Sequence, residues 1–235
     1  MASRSSETTG TGRRGANARD RRHRSAAERR QQIFAGALKC FQINGYHQTS
    51  IIDIATASNI SSGLIYQHFK DKKDLLFQVI IDILEAYNYD VTNALIGCTD
   101  PVVRLQRASI AYYRVIDRRI PATLFAYRES KSLERDRLEL LKMKELQTNQ
   151  LILNCILECE AAGLCNDIQT ELATYWIINA GHAWGLKNWR LRKIISFEEY
   201  SRQTLSMIFM GLLNEEGRKR LAEDNLLDGR PFDSL

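Results

Sequence analysis

Thr49-Ser-Ile-Ile-Asp-Ile-Ala-Thr-Ala-Ser-Asn-Ile-Ser-Ser-Gly-Leu-Ile-Tyr-Gln-His-Phe-Lys-Asp-Lys-Lys-Asp-Leu75 is the stretch on which the fold turns. Ser50-Ile-Ile-Asp53 is a capping box, with a hydroxyl and a carboxylate placed to satisfy each other's orphan amides, and it predicts a short helix to Ala57 or Ser58. Ile51, Ile54 and Ala55 share one face of that helix, and Ile60 is expected to plug the core below the turn. Asn59 stands where the chain must turn through positive φ, which Asn tolerates. Ser61 then caps a second short helix to about Phe69, and Asp71-Lys-Lys-Asp74 opens a long one to about Asn93. Two short helices about a tight turn, flanked by longer ones, form a helix-turn-helix.

Working outward, apolar residues recur at three- and four-residue spacing from Ile33 almost to the end of the 235-residue chain, so the fold is expected to be all-α with about nine helices. The first helix runs from a Ser25-Ala-Ala-Glu28 capping box to Asn44-Gly45, with Ile33, Ala37, Leu38 and Phe41 inward. Asp100-Pro101 opens a fifth helix to about Asp117, and Ile120-Pro121 a sixth to about Ser130. Further helices are expected over about 132–162, 167–191 and 197–213, with a frayed tail beyond. The resulting layout is a flexible arm (1–24), a three-helix helix-turn-helix domain (25–75), a larger helical domain (76–216) joined through the fourth helix, and a tail (217–235).

Net charge is +5, but residues 1–30 carry nine Arg against three acids, a net of +6, while the remaining 24 basic and 25 acidic residues give −1. Charge gathered at one end suits a polyanion such as nucleic acid. The most apolar stretch, Leu75 to Tyr87, is broken by Gln78, Asp82 and Glu85, so no membrane span or secretory signal is expected, and the five Cys fit a reducing cytoplasm. No nucleophile elbow, phosphate loop or dinucleotide turn occurs, so no enzyme activity and no cofactor are expected.

Thr49, Ile54-Ala55, Ile60-Ser61, Gly63, Tyr66, His68-Phe69, Lys72 and Leu75, with the helix before them, resemble the TetR family of bacterial transcriptional repressors over about residues 28–75. One departure is Asn59, where such proteins usually have Gly. The resemblance implies a homodimer on a palindromic operator in double-stranded DNA, with half-sites about 10 bp or a multiple apart. It places Thr49, Tyr66, His68 and Lys72 on the phosphate backbone, and Ser61, Ser62, Gly63, Leu64 and Gln67 toward the bases. Loss of Tyr66 or Lys72 is expected to weaken operator binding with the fold intact.

Beyond residue 95, the last two long helices carry wide apolar faces, Leu172, Trp176, Ile177, Ala180, Ala183 and Trp184 on one, Tyr200, Leu205, Ile208, Phe209 and Leu212 on the other. Two such pairs would make a four-helix dimer interface. Candidate effector ligands are Tyr112, Tyr113, Phe125, Tyr127, Arg128, Asn179, His182, Trp184 and Lys187, an apolar set with polar handles. Basic clusters at Arg104, Arg107, Arg114, Arg118 and Arg119, and at Lys187, Arg190, Arg192 and Lys193, would suit a phosphate-bearing head, so an acyl-CoA or related carboxylic compound is the favoured effector. Tyr127-Arg128-Glu129-Ser130 with Ala183–Trp189 is similar to the fatty-acid and sterol-degradation (FadR-like) branch of TetR repressors. The alternative is a metal- or thiol-responsive regulator using Cys155 and Cys159, four residues apart on a stripe with Ile152 and Ile156 that also suits core packing; no metal site is assigned.

Overall fold

Local capping chemistry builds the first unit of the computed structural model, which describes residues 11–223, with side chains from Ala26 onward. The chain divides into two compact units, Met1–Leu75 and Leu76–Leu235. In the first, α1 (Thr11–Asn44) ends at Gly45 with φ of 78°, and α2 (Ile51–Ala57) opens on the complete Ser50–Asp53 box. Asn59 takes φ of 52°, Ser61 caps α3 (Ser62–His68), and Asp71 accepts from the Asp74 amide at 2.7 Å where α4 (Lys72–Ala94) begins. Ile33, Phe34, Ala37, Phe41, Ile54, Ile65 and Phe69 form the core, whereas Leu38, Ile51 and Ile60 are only half-buried. Gly36 admits α2: a Cβ there would lie 2.0 Å from the Ser58 hydroxyl and 3.1 Å from its backbone nitrogen. Gln32 closes the same contact by donating to the Ser58 carbonyl at 2.6 Å.

One expectation fails at the amino end. α1 starts at Thr11, fourteen residues before Ser25, so Ser25 stands inside the helix rather than at its start. Arg, by far the commonest residue of this segment, is a strong helix former and outweighs the Gly residues that suggested a mobile arm. Residues 1–10, and the side chains through Ser25, lie outside the described residues.

The second unit is helical throughout, and no strand occurs among the described residues. Its centre is α5 (Pro101–Arg118), capped by Asp100 and buried on nearly every face. Around it pack α6 (Ile120–Glu129), α7 (Arg135–Ala161), α8 (Thr170–Leu186) and α10 (Phe197–Leu212). Gly181 brings α8 onto α5, since a Cβ would sit 2.7 Å from the Tyr113 ring. Eleven α-helices are seen among the described residues where nine were expected; the two additions are α9 (Asn188–Leu191), split from α8 at Lys187, and α11 (Glu215–Glu223). α11 replaces the start of the expected frayed tail. Asn214 accepts from the Gly217 amide at 3.0 Å, Glu215 and Glu216 favour the helix N-terminus, and Glu215–Lys219 and Glu216–Arg220 pair one turn apart. Gly217 is buried, and a Cβ built on it would lie 2.5 Å from the Leu164 carbonyl oxygen. Residues 224–235 lie outside the described residues. No helix among those described is long and apolar enough to cross a membrane.

Candidate functional site

Only Ile65 of α3 is fully buried, so most of this seven-residue helix faces outward. Ser61 is exposed and its hydroxyl accepts from the Leu64 amide at 3.2 Å. Tyr66 is 56% exposed, Gln67 is exposed, and Ser62, Leu64 and His68 are half-buried. Gly63 is exposed, and a Cβ built on it would meet nothing nearer than the Ser61 hydroxyl at 4.0 Å. The fold therefore has no packing need for glycine at this helical position, where it costs about 1 kcal/mol relative to alanine. What a bare position does provide is close approach for something outside the chain.

Thr49 and Lys72, both expected at phosphates, are bonded within the unit. Thr49 is buried, and its hydroxyl donates inward to the carbonyls of Gly45 at 2.8 Å and Cys40 at 3.2 Å. Lys72 points back into the loop between α1 and α2, where its ammonium donates to the carbonyls of Thr49, Tyr46 and His47 at 2.9, 3.0 and 3.2 Å. The same group lies 4.6 Å from the Tyr46 ring centroid. An ammonium has three protons, and three carbonyls take them. Both residues hold the loop that presents α2, rather than reaching out of the unit.

In the second unit, α4, α5, α6, α7 and α8 line a pocket of about 140 Å³. Its apolar walls include Ile80, Ile83, Leu84 and Leu141, and its polar groups include Tyr112, Tyr127, Glu145 and His182. The His182 imidazole sits between two phenols, Tyr112 at 2.8 Å from Nε2 and Tyr127 at 2.5 Å from Nδ1. Burial pushes its pKa down to about 4, so the ring is neutral at pH 7. A neutral imidazole has one donor and one acceptor nitrogen, so one phenol oxygen accepts a hydrogen bond from the ring N–H and keeps its own O–H for another acceptor. Burial also raises the Glu145 carboxyl, favouring its protonated form. Tyr87 and Thr123 share a hydrogen bond of 2.9 Å in the same wall.

These shifts fix a pH dependence. With a folded value of about 4 against 6.5 for an ordinary histidine, His182 contributes full stability above about pH 6.5 and loses it as pH falls toward 4. Between about pH 7.5 and 5 the loss is about 2 kcal/mol. Glu145 acts in the opposite sense, penalising the fold as pH rises past the usual carboxylate range. Urea denaturation of wild type and His182→Gln at both pH values isolates the histidine; the variant is expected to lack that decline, and parallel curves would refute the assignment.

The amino-terminal model of the bacterial regulatory proteins, tetR family, matches residues 33–79. The HTH-type transcriptional regulator HbdR of Aromatoleum sp. (strain CIB) is 39% identical over 196 residues, covering 83% of this chain and 86% of that protein. The chain belongs to the TetR family. The HTH-type transcriptional repressor KstR2 of Mycolicibacterium smegmatis is 24% identical over 82% of this TetR-family chain and 95% of its own. Among solved structures, the TetR regulator PfmR of Thermus thermophilus superposes with a TM-score of 0.67 at 22% identity, over 76% of this chain and 97% of that one. The ketosteroid transcriptional regulator KstR2 of Mycobacterium tuberculosis gives 0.65 at 19%, over 80% and 96%. These two structures share the fold, with its amino-terminal helix-turn-helix and larger helical domain. As a TetR-family member the protein is a DNA-binding transcriptional regulator and not an enzyme.

Of the nine effector candidates in this TetR-family chain, Tyr112, Tyr127 and His182 line the cavity. Tyr113 and Trp184 are core residues whose polar atoms are already used, by the Ile177 carbonyl at 2.9 Å and Asp117 at 2.9 Å, and Phe125 is fully buried. Arg128, Asn179 and Lys187 are exposed and outside the lining. Ile80, Ile83, Leu84, Tyr87 and Glu145 went unrecognised, although the apolar run Leu75–Tyr87 was itself the signal for α4's inner face. Cys155 and Cys159 are buried, with Cys155 pushed up to about 12 by burial, so they are packed thiols rather than thiolates. No group of three His, Cys, Asp or Glu converges among the described residues, which leaves the metal alternative without a ligand set.

Proposed function

We propose that the protein is a dimeric repressor released from its operator by an effector seated beside His182. Ser61, Ser62, Gly63, Leu64 and Gln67 face base edges, while Tyr66 and His68 hold phosphates, with Thr49 and Lys72 supporting them from within. The reading of the dimer is supported by exposed apolar side chains on two neighbouring helices: Leu172 and Trp176 on α8, and Met207 and Met210 on α10, are 47–78% exposed. Ile177, Trp184, Leu205, Phe209 and Leu212, from the same expected faces, belong to the protomer core.

The observation that carries effector binding is the pocket beside His182, where one of the two phenols bonded to the neutral ring keeps an O–H that can donate. A carbonyl oxygen suits that donor, whereas a free carboxylate would bring a charge to a pocket with no cation among its lining residues. A thioester such as an acyl-CoA therefore fits better than the free acid. An apolar cavity of about 150 Å³ takes a benzene ring, so about 140 Å³ suits a ring-sized or short acyl group. The effector shifts the population toward a dimer with wrongly spaced recognition helices.

Mass spectrometry of the co-purifying compound, then gel shift on the protein's own upstream DNA, tests this. Ring-sized or short acyl thioesters are expected to weaken DNA binding at least tenfold, and the matching free acids to act far less. Tyr127→Phe is expected to lose the response while keeping operator affinity. DNA binding indifferent to every thioester, or lost equally with the free acids, would overturn the assignment.

A further inference from the structure

The second unit holds another cleft, of about 190 Å³, between α5 and the last turns of α4. Arg107, Ala111, Arg114 and Arg118 recur at spacings of four, three and four, so they share one face of α5. Ala111 is the short side chain between the arginines and leaves the room that the cleft occupies. Across from it stand Asp90, Asn93 and Ala94. Three guanidinium groups against one carboxylate leave the lining at a net +2, with Asn93 as a neutral donor.

Neighbouring arginines are used up structurally. Arg104 pairs with Glu158 at 2.6 Å and donates to the Cys98 carbonyl at 2.9 Å, and Arg119 approaches Asp82 at 3.9 Å. Arg107 differs: its Nε is buried without a hydrogen-bond partner. A buried donor left unmade is costly, and such groups in folded proteins call for an explanation. Guanidinium forks lining a small cleft match the oxygens of a phosphate in charge and geometry.

We propose that this cleft is an anion site for a phosphate dianion, either inorganic phosphate or the phosphate group of a small monoester. It shares no lining residue with the His182 cavity, so it stands or falls independently of the effector assignment. Lying along α4, the helix that continues from the DNA-binding unit, it gives phosphate a route to bias that helix.

Isothermal titration of the full chain with inorganic phosphate and with phenyl phosphate, at constant ionic strength set by sodium chloride, tests the site. Nine arginines in the first thirty residues also attract anions, so the comparison among cleft variants is decisive. Arg107→Gln and Arg118→Gln are each expected to raise Kd at least tenfold, and Ala111→Leu, which fills the cleft and removes no charge, to abolish binding. His182→Gln is expected to leave it unchanged. Binding of both probes admits monoesters; binding of inorganic phosphate alone restricts the site to the free ion. No binding by wild type beyond the salt control, or equal affinity in all cleft variants, would overturn the proposal. Should Ala111→Leu fail to fold, Arg118→Gln, an exposed side chain, decides alone: a tenfold loss supports the site and an unchanged Kd refutes it.

Discussion

Lys72→Ala is expected to destabilise the amino-terminal unit by about 2–3 kcal/mol, in contrast to the simple loss of one DNA contact. Its ammonium satisfies three carbonyls within 3.2 Å, from Tyr46, His47 and Thr49, and stacks on the Tyr46 ring. Hydrogen bonds from a charged donor contribute about 1.5–3 kcal/mol each in favourable cases, and the partial exposure of Lys72 limits the sum. The carbonyls belong to the loop that fixes where α2 starts, so its loss loosens the base on which α3 is carried. Operator affinity falls as a consequence.

Lys72→Arg separates the two roles. A phosphate contact tolerates arginine, since the charge is kept, and its complete loss would only lower the salt slope by about one. A cup of three converging carbonyls fits a compact ammonium and not a planar fork. Chemical denaturation is therefore expected to find Lys72→Arg substantially less stable than wild type, with Lys72→Ala similar or worse. Wild-type stability in both variants, with weakened gel shifts, would return Lys72 to the DNA backbone.

The parts of the fold that were legible in the sequence are those governed by local rules. The Ser50–Asp53 box, the left-handed Asn59, the Ser61 cap and Asp100-Pro101 each involve residues within four positions of one another, and each forms as expected. The α1 start failed for the opposite reason, because a run of good helix formers overrode a local cap signal at Ser25. Side-chain destinations were harder to read wherever the partner is distant in the chain. Lys72 finds acceptors 23–26 residues earlier, and His182 binds phenols 55 and 70 residues away. Tyr112, Tyr127 and His182 were recognisable as amphipathic candidates, but nothing in their spacing joins them. Glu145 was invisible for a related reason: a carboxyl on a polar helix reads as solvated until the fold sets it in the wall of the His182 pocket.

Gly63 gives the sharpest separation of fold from function. Gly63→Ala is expected to leave the stability of the isolated protein unchanged or raise it by up to about 1 kcal/mol, because alanine has the better helix propensity. The added methyl group meets only the Ser61 hydroxyl, 4.0 Å away. Operator affinity is expected to move the other way, falling at least tenfold, since the recognition helix must bring its first turn against the duplex. Gly36→Ala is the internal contrast: there the methyl group collides with Ser58 at 2.0 Å, so stability and DNA binding fall together. Denaturation midpoints and gel shifts at matched salt measure both quantities on each variant. If Gly63→Ala binds the operator as wild type does, α3 does not approach DNA through Gly63, and the base-facing set must be rebuilt around Gln67 and Tyr66.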